Sequence, residues 1–171
     1  VIGIVIALAA VPSPWGYVIA LAVFAIGATQ VVAAERVDRR RRRQLKNDFQ
    51  RRLTVLYFQL HKLWQPIHNR VILNDQALRI AKANSDPSLV AQLQAERVKI
   101  ELAKDEAVTT YRIDFSPEVA SLPHEIYNEF SIDPSGVLDI IGDHHWNASF
   151  DDINKIGEAI RALGERLYNE E

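Results

Sequence analysis

Asp143, His144 and His145, with Trp146 beside them and Asp151 and Asp152 following, form the densest group of potential metal ligands and acid–base residues in the chain. Zinc needs three or four converging ligands, and adjacent histidines lack the H-E-x-x-H spacing that sets two imidazoles on one helix face. His124 and Glu125 contribute only if the fold brings their segment near. Asp151 and Asp152 also suit the first turn of a helix, where the dipole favours carboxylates. The group reads as a polar loop anchored by Trp146, with no metal and no cofactor expected. A metal-dependent hydrolase centred on Asp143, His144 and His145 stays open as an alternative. No phosphate-binding G-x-x-x-x-G-K-[ST], no G-x-G-x-x-G and no G-x-S-x-G occurs, and the absence of cysteine excludes thiolate metal sites and cysteine nucleophiles.

A second set, Tyr57, His61, Trp64 and His68, recurs at spacings of 4, 3 and 4 and so occupies one side of a helix. Such a stripe can line a pocket for a planar ligand, or form an edge of the core. A shared metal ion is ruled out, because His61 and His68 lie about 10 Å apart along a helix axis.

The third set is cationic: Arg36, Arg39, Arg40, Arg41, Arg42, Arg43 and Lys46. Guanidinium forks suit phosphate, so anionic headgroups are the expected contact, and a small anionic nucleotide is a compatible ligand. Nucleic acid is disfavoured, because no aromatic residue between Arg36 and Lys46 offers a stacking platform. Five consecutive arginines reach every face of a helix, which suits a collar better than a one-sided patch.

The elements that must position these residues begin with an apolar run, Val1 to Val11, a Pro-Ser-Pro-Trp-Gly segment at 12–16 that suits a tight turn, and a second apolar run, Tyr17 to Ala34, that carries no charge. A crossing needs about 20 apolar residues, and arginine-rich flanks stay on the cytoplasmic side. Residues 1–34 are therefore expected to form a transmembrane hairpin whose first helix is truncated at its start, giving a multi-pass membrane protein with a cytoplasmic C-terminal part. Ala22, Ala25 and Thr29 lie on one face of the second run, where small residues allow close helix packing in lipid, and Gln30 can hydrogen-bond across such a contact.

Beyond the hairpin, residues 35–52 carry nine basic and three acidic side chains, net +6, and residues 53–171 carry eleven basic and nineteen acidic, net −8. The 171-residue chain thus has a basic helical segment and one acidic domain within an overall charge of −2. Leu45, Phe49, Leu53, Leu56, Leu60, Leu63 and Ile67 mark one helix face, with a break expected at Pro66 and a resumption through Val71, Leu73, Leu78 and Ile80. Asp86 and Pro87 read as N-cap and first residue of the next helix, carrying Leu89, Leu93, Ile100, Ala103, Ala107 and Tyr111. Ser116-Pro117, Leu122-Pro123 and Asp133-Pro134 suggest short helices with fresh starts. Ser149 and Asp152 resemble a capping box ahead of a final helix with Ile153, Ile156, Ile160, Leu163 and Leu167 on one face.

No alternating strand pattern appears, so the fold class is all-α: a transmembrane hairpin followed by a cytoplasmic helical domain. The expected function is a membrane-anchored, non-enzymatic scaffold or interaction protein, oligomeric or held in a membrane complex. The alternative from the same architecture is a ligand-gated oligomeric effector that permeabilises the bilayer.

Overall fold

The computed structural model describes residues 14–131 and 147–169, and every element among them is a helix. The helices are α1 (Pro14–Ala83), α2 (Pro87–Thr110), a π-helix (Tyr111–Phe115), α3 (Ser116–Phe130) and α4 (Phe150–Asn169). The all-α expectation is borne out. The chain divides into two compact units, Val1–Asp48 and Phe49–Glu171.

In the first unit the transmembrane hairpin and the multi-pass assignment need correction. Among the described residues, no helix is long and apolar enough to cross a membrane. The polar Thr29 and Gln30 interrupt the uncharged stretch of α1, which ends at Ala34, and polar side chains are costly in a hydrocarbon core. Glu35, Arg36 and Asp38 follow at once. Pro14, Trp15 and Gly16, expected in a turn, already belong to α1, since proline is tolerated in the first turn of a helix, where its missing N–H has no partner to lose. Residues 1–13 lie outside the described residues.

The second unit is built on the leucine face of α1. Leu53, Leu56 and Leu60 are buried against Ile153, Ile156, Ile160, Leu163 and Leu167 of α4, Val119, Leu122 and Ile126 of α3, and Ala107 and Tyr111. Phe49, Leu63 and Ile67 pack on its margin. At Pro66 the expected break is absent, and α1 runs through it to Ala83. The proline removes one donor, to the Lys62 carbonyl, while packing on both sides holds the helical register. Beyond Pro66 the inward positions are Asn74 and Ala81. Leu73 and Ile80, expected inside, are 64% and 62% exposed.

Ser85, in the left-handed region at φ 54°, turns the chain between α1 and α2, and Asp86 caps α2 by accepting from the Ser88 and Leu89 amides. Arg70 pairs with Glu96 at 2.6 Å, Arg97 with Asp75, and Asn74 Nδ2 donates to the Leu93 carbonyl at 3.0 Å, so α2 returns alongside α1. Ser116-Pro117 does open a helix, but it follows the π-helix without a loop. Pro123 lies inside α3 rather than starting a new helix. The start expected at Asp133-Pro134 lies outside the described residues. At α4, Ser149 and Asp152 form the expected box: the Ser149 hydroxyl and amide donate to Asp152 Oδ2 at 2.6 and 3.0 Å, and the Asp152 amide donates back to Ser149 Oγ at 3.4 Å.

Candidate functional site

The cationic segment lies on α1 with its arginines exposed and Lys46 half-buried. Its residues are not equivalent. Arg39 pairs with Glu35 at 2.5 Å and Arg42 with Asp38 at 3.1 Å, both one turn apart. Arg36, Arg40, Arg41 and Arg43 have no carboxylate partner among the described residues. At 100° per residue, Arg36, Arg40 and Arg43 fall within about 60° of arc, while the two ion pairs occupy the other side. Instead of an even collar, the segment presents an unneutralised stripe of three arginines, with Arg41 also unneutralised about 100° further round, and the acids at positions 35 and 38 create the asymmetry. The stripe continues the line of Thr29, Val32 and Ala33, and these residues with Ala28, Arg36, Val37 and Arg40 line a groove of ≈ 500 Å³. Ala22, Ala25, Thr29 and Gln30 are exposed, and the Thr29 hydroxyl donates to the Ile26 carbonyl at 2.8 Å, within its own helix.

The aromatic and histidine stripe belongs to the second unit, where its members stack in pairs. Tyr57 lies on His61 with ring centroids 5.7 Å apart, and Trp64 lies on His68 at 4.1 Å with the rings 20° from parallel. Trp64 also faces Phe150, the first residue of α4, at 6.3 Å, and Lys104 Nζ of α2 sits 5.8 Å from the centre of the Phe150 ring. The stripe thus joins α1 to α4 along the margin of the core. Two polar atoms on it, His61 Nδ1 and Trp64 Nε1, are buried without a hydrogen-bond partner among the described residues. The Tyr111 hydroxyl is also buried with no hydrogen-bond partner among the described residues, and burial pushes its pKa up to about 12. It stays protonated at neutral pH and can act only as a neutral donor or acceptor. A separate groove of ≈ 610 Å³ runs between α1 and α4 beside Tyr57, with Phe58, Ile160, Arg161, Gly164 and Tyr168 on its walls.

Asp143, His144, His145 and Trp146 lie outside the described residues. Among the described residues, no group of three or more histidines and carboxylates is placed to hold a metal ion. Asp151 and Asp152 stand in the first turn of α4. The Ser149 hydroxyl first, and Lys155 next, hold the Asp152 carboxyl far below the usual carboxylate range.

One polar cluster escaped sequence reasoning. Arg52 donates to Glu118 at 2.6 Å and to Glu125 at 2.5 Å, and the Ser121 hydroxyl donates to Glu125 at 2.6 Å, tying α1 to α3. Glu125 is held below its ordinary pKa by the Ser121 hydroxyl, with Arg52 adding to it. The partners are 66 and 73 residues apart, so no local pattern announces them. Their one visible sign is Arg52 lying beside Leu53 and Leu56, at the edge of the leucine face.

Comparison with known proteins finds no matching family, no matching curated protein and no matching solved structure. Function must therefore be argued from the geometry.

Proposed function

We propose that this chain is a non-enzymatic helical scaffold or interaction protein that acts by associating with further copies of itself. The observation that carries the reading is the apolar surface left outside the core of the second unit. Val98, Leu102 and Ile113 are 61%, 64% and 70% exposed on the α2 side, as are Leu73 and Ile80 on α1. Apolar side chains grouped along helix faces, unlike single scattered ones, mark interaction surfaces. The side chains that first suggested chemistry support the same reading where they are described: Asp152 serves as a cap, and Trp64 and His68 serve as packing. The permeabilising alternative depended on a transmembrane hairpin and is not carried forward.

The test is the weight-average mass of the purified full chain, measured by light scattering across a hundredfold range of concentration. Association into dimers or larger species at micromolar concentration is the expected result. A mass that stays at the monomer value of 19.4 kDa throughout would overturn the proposal.

A further inference from the structure

We infer that the unneutralised arginine stripe of α1 in one copy docks on the outer face of α2 in a second copy. This rests on the self-association reading and names the surfaces that carry it. Two stripes of complementary character support the pairing. On α1, Val32 and Ala33 lead directly into Arg36, Arg40 and Arg43, all exposed. On α2, Ala95, Val98 and Leu102 lead into Asp105 and Glu106, also exposed, with Ile113 and Asp114 following in the π-helix.

The carboxylates of Asp105 and Glu106 pair with no cation among the described residues. Only their backbone carbonyls are used, by the Thr109 and Thr110 hydroxyls. Neighbouring acids on the same helix are already engaged, Glu96 by Arg70 and Lys99 and Glu101 by Lys104. Each stripe therefore has an apolar half and a half of single, unpaired charge, in the same N-to-C order.

Helices packing at shallow angles bring together residues repeating at spacings of three and four, with charges flanking an apolar seam and setting partner and direction. When the two helices run parallel with Val32 beside either Val98 or Leu102, Arg36 falls within about one turn of Asp105 and Glu106, and Arg40 within about one turn of Glu106. Arg43 then lies beside Thr109 or Ile113. An antiparallel arrangement that keeps Val32 beside Val98 or Leu102 sets Arg36 beside Gln94 or Val98 and leaves both carboxylates without an arginine, so the order of the halves selects the parallel one. Charge decides the partner, while Val32, Val98 and Leu102 supply the buried apolar area. Because the two surfaces differ, the contact is heterologous, and each added copy presents a fresh stripe of each kind.

The experiment uses the full chain and two sets of substitutions on exposed positions. One set is Arg36→Glu, Arg40→Glu and Arg43→Glu, and the other is Asp105→Arg and Glu106→Arg. Each alone is expected to weaken association at least tenfold by light scattering at 0.1 M salt, with helicity and melting temperature unchanged. Mixing the two variants is expected to restore association, since each then supplies the surface that the other's reversed stripe requires. Wild-type association should also weaken as salt rises. If the wild-type protein associates and neither set changes its affinity, the inference is overturned while self-association stands. Weakening by both sets without rescue on mixing also overturns it, because the stripes would then meet other surfaces. A wild-type protein that remains monomeric removes both proposals.

Discussion

Asp152 illustrates how a residue that looks catalytic is employed in structure. Its carboxylate accepts from the Ser149 hydroxyl and amide and lies 2.9 Å from Lys155 Nζ, at the start of the helix that carries most of the core isoleucines. A carboxyl whose folded pKa is depressed stabilises the fold fully above its unfolded value, ~3.9 for aspartate, and loses that contribution as pH falls toward the folded value. Asp152→Asn should therefore cost about 1 kcal/mol at neutral pH, the scale of a helix cap. In thermal melts the gap from wild type should hold down to about pH 4 and narrow below it. A gap that persisted undiminished at pH 2 would show that the charge contributes nothing. This cap was legible in sequence because its partners are three residues apart. The Arg52 cluster was not, since only the completed fold brings Glu118 and Glu125 to α1.

At the scale of the element, α4 meets α1 through two glycines seven residues apart, Gly157 against Leu60 and Tyr57 and Gly164 against Leu53. They invite the reading that only glycine fits. The distances argue otherwise: a Cβ at Gly157 would lie 3.8 Å from Leu60 Cβ and from Tyr57 Cδ2, and one at Gly164 would lie 3.9 Å from Leu53 Cδ1, all ordinary contacts. Glycine inside a helix is about 0.8–1 kcal/mol less favourable than alanine. Gly157→Ala and Gly164→Ala should each stabilise the protein, by up to about 1 kcal/mol in urea unfolding. Destabilisation by either would overturn this, since at these distances a methyl group has nothing to displace.

Periodicity made α4 and the first half of the second unit's α1 segment legible, from Phe49 through Leu60 to Ile153, Ile160 and Leu167, because a single face is buried along each. It failed beyond Pro66. There the packed positions, Asn74 and Ala81, are polar or small, and the larger Leu73 and Ile80 point outward. Of the four apolar positions expected inside, Val71 and Leu78 are half-buried while Leu73 and Ile80 are not, so hydrophobicity alone mixed two faces. The prolines misled for a related reason: at positions 66 and 123, tertiary contacts outweigh one lost hydrogen bond.

At the scale of the whole molecule, charge is unevenly distributed. The net −2 conceals a basic first unit and an acidic second one, and ion pairs within α1 cancel the basic charge on one side only. Local salt bridges between exposed residues contribute little to stability, in the range of 0–1 kcal/mol. Here they do something else, leaving Arg36, Arg40 and Arg43 as the directional feature. Composition revealed the excess of charge, but its sidedness depended on which arginines Glu35 and Asp38 take.

The π-helix acts as a gear tooth between α2 and α3. Five residues, Tyr111 to Phe115, are wound with one more residue than an α-turn would take, so everything downstream is rotated by about 100° from where an unbroken α-helix would set it. Tyr111 is buried and Ile113 is 70% exposed, so the surplus residue costs the core nothing where it occurs. Rewinding as α with all five residues kept would swing Val119, Leu122 and Ile126 off the leucine face, whereas removing Ile113 removes the surplus and leaves them on it. Ile113→Ala and deletion of Ile113 should thus both keep cooperative unfolding, while one alanine inserted after Ile113 loses it, as circular dichroism and thermal melts would reveal. In this chain the spacing between two helices is a constraint of its own, written in length rather than in side chains.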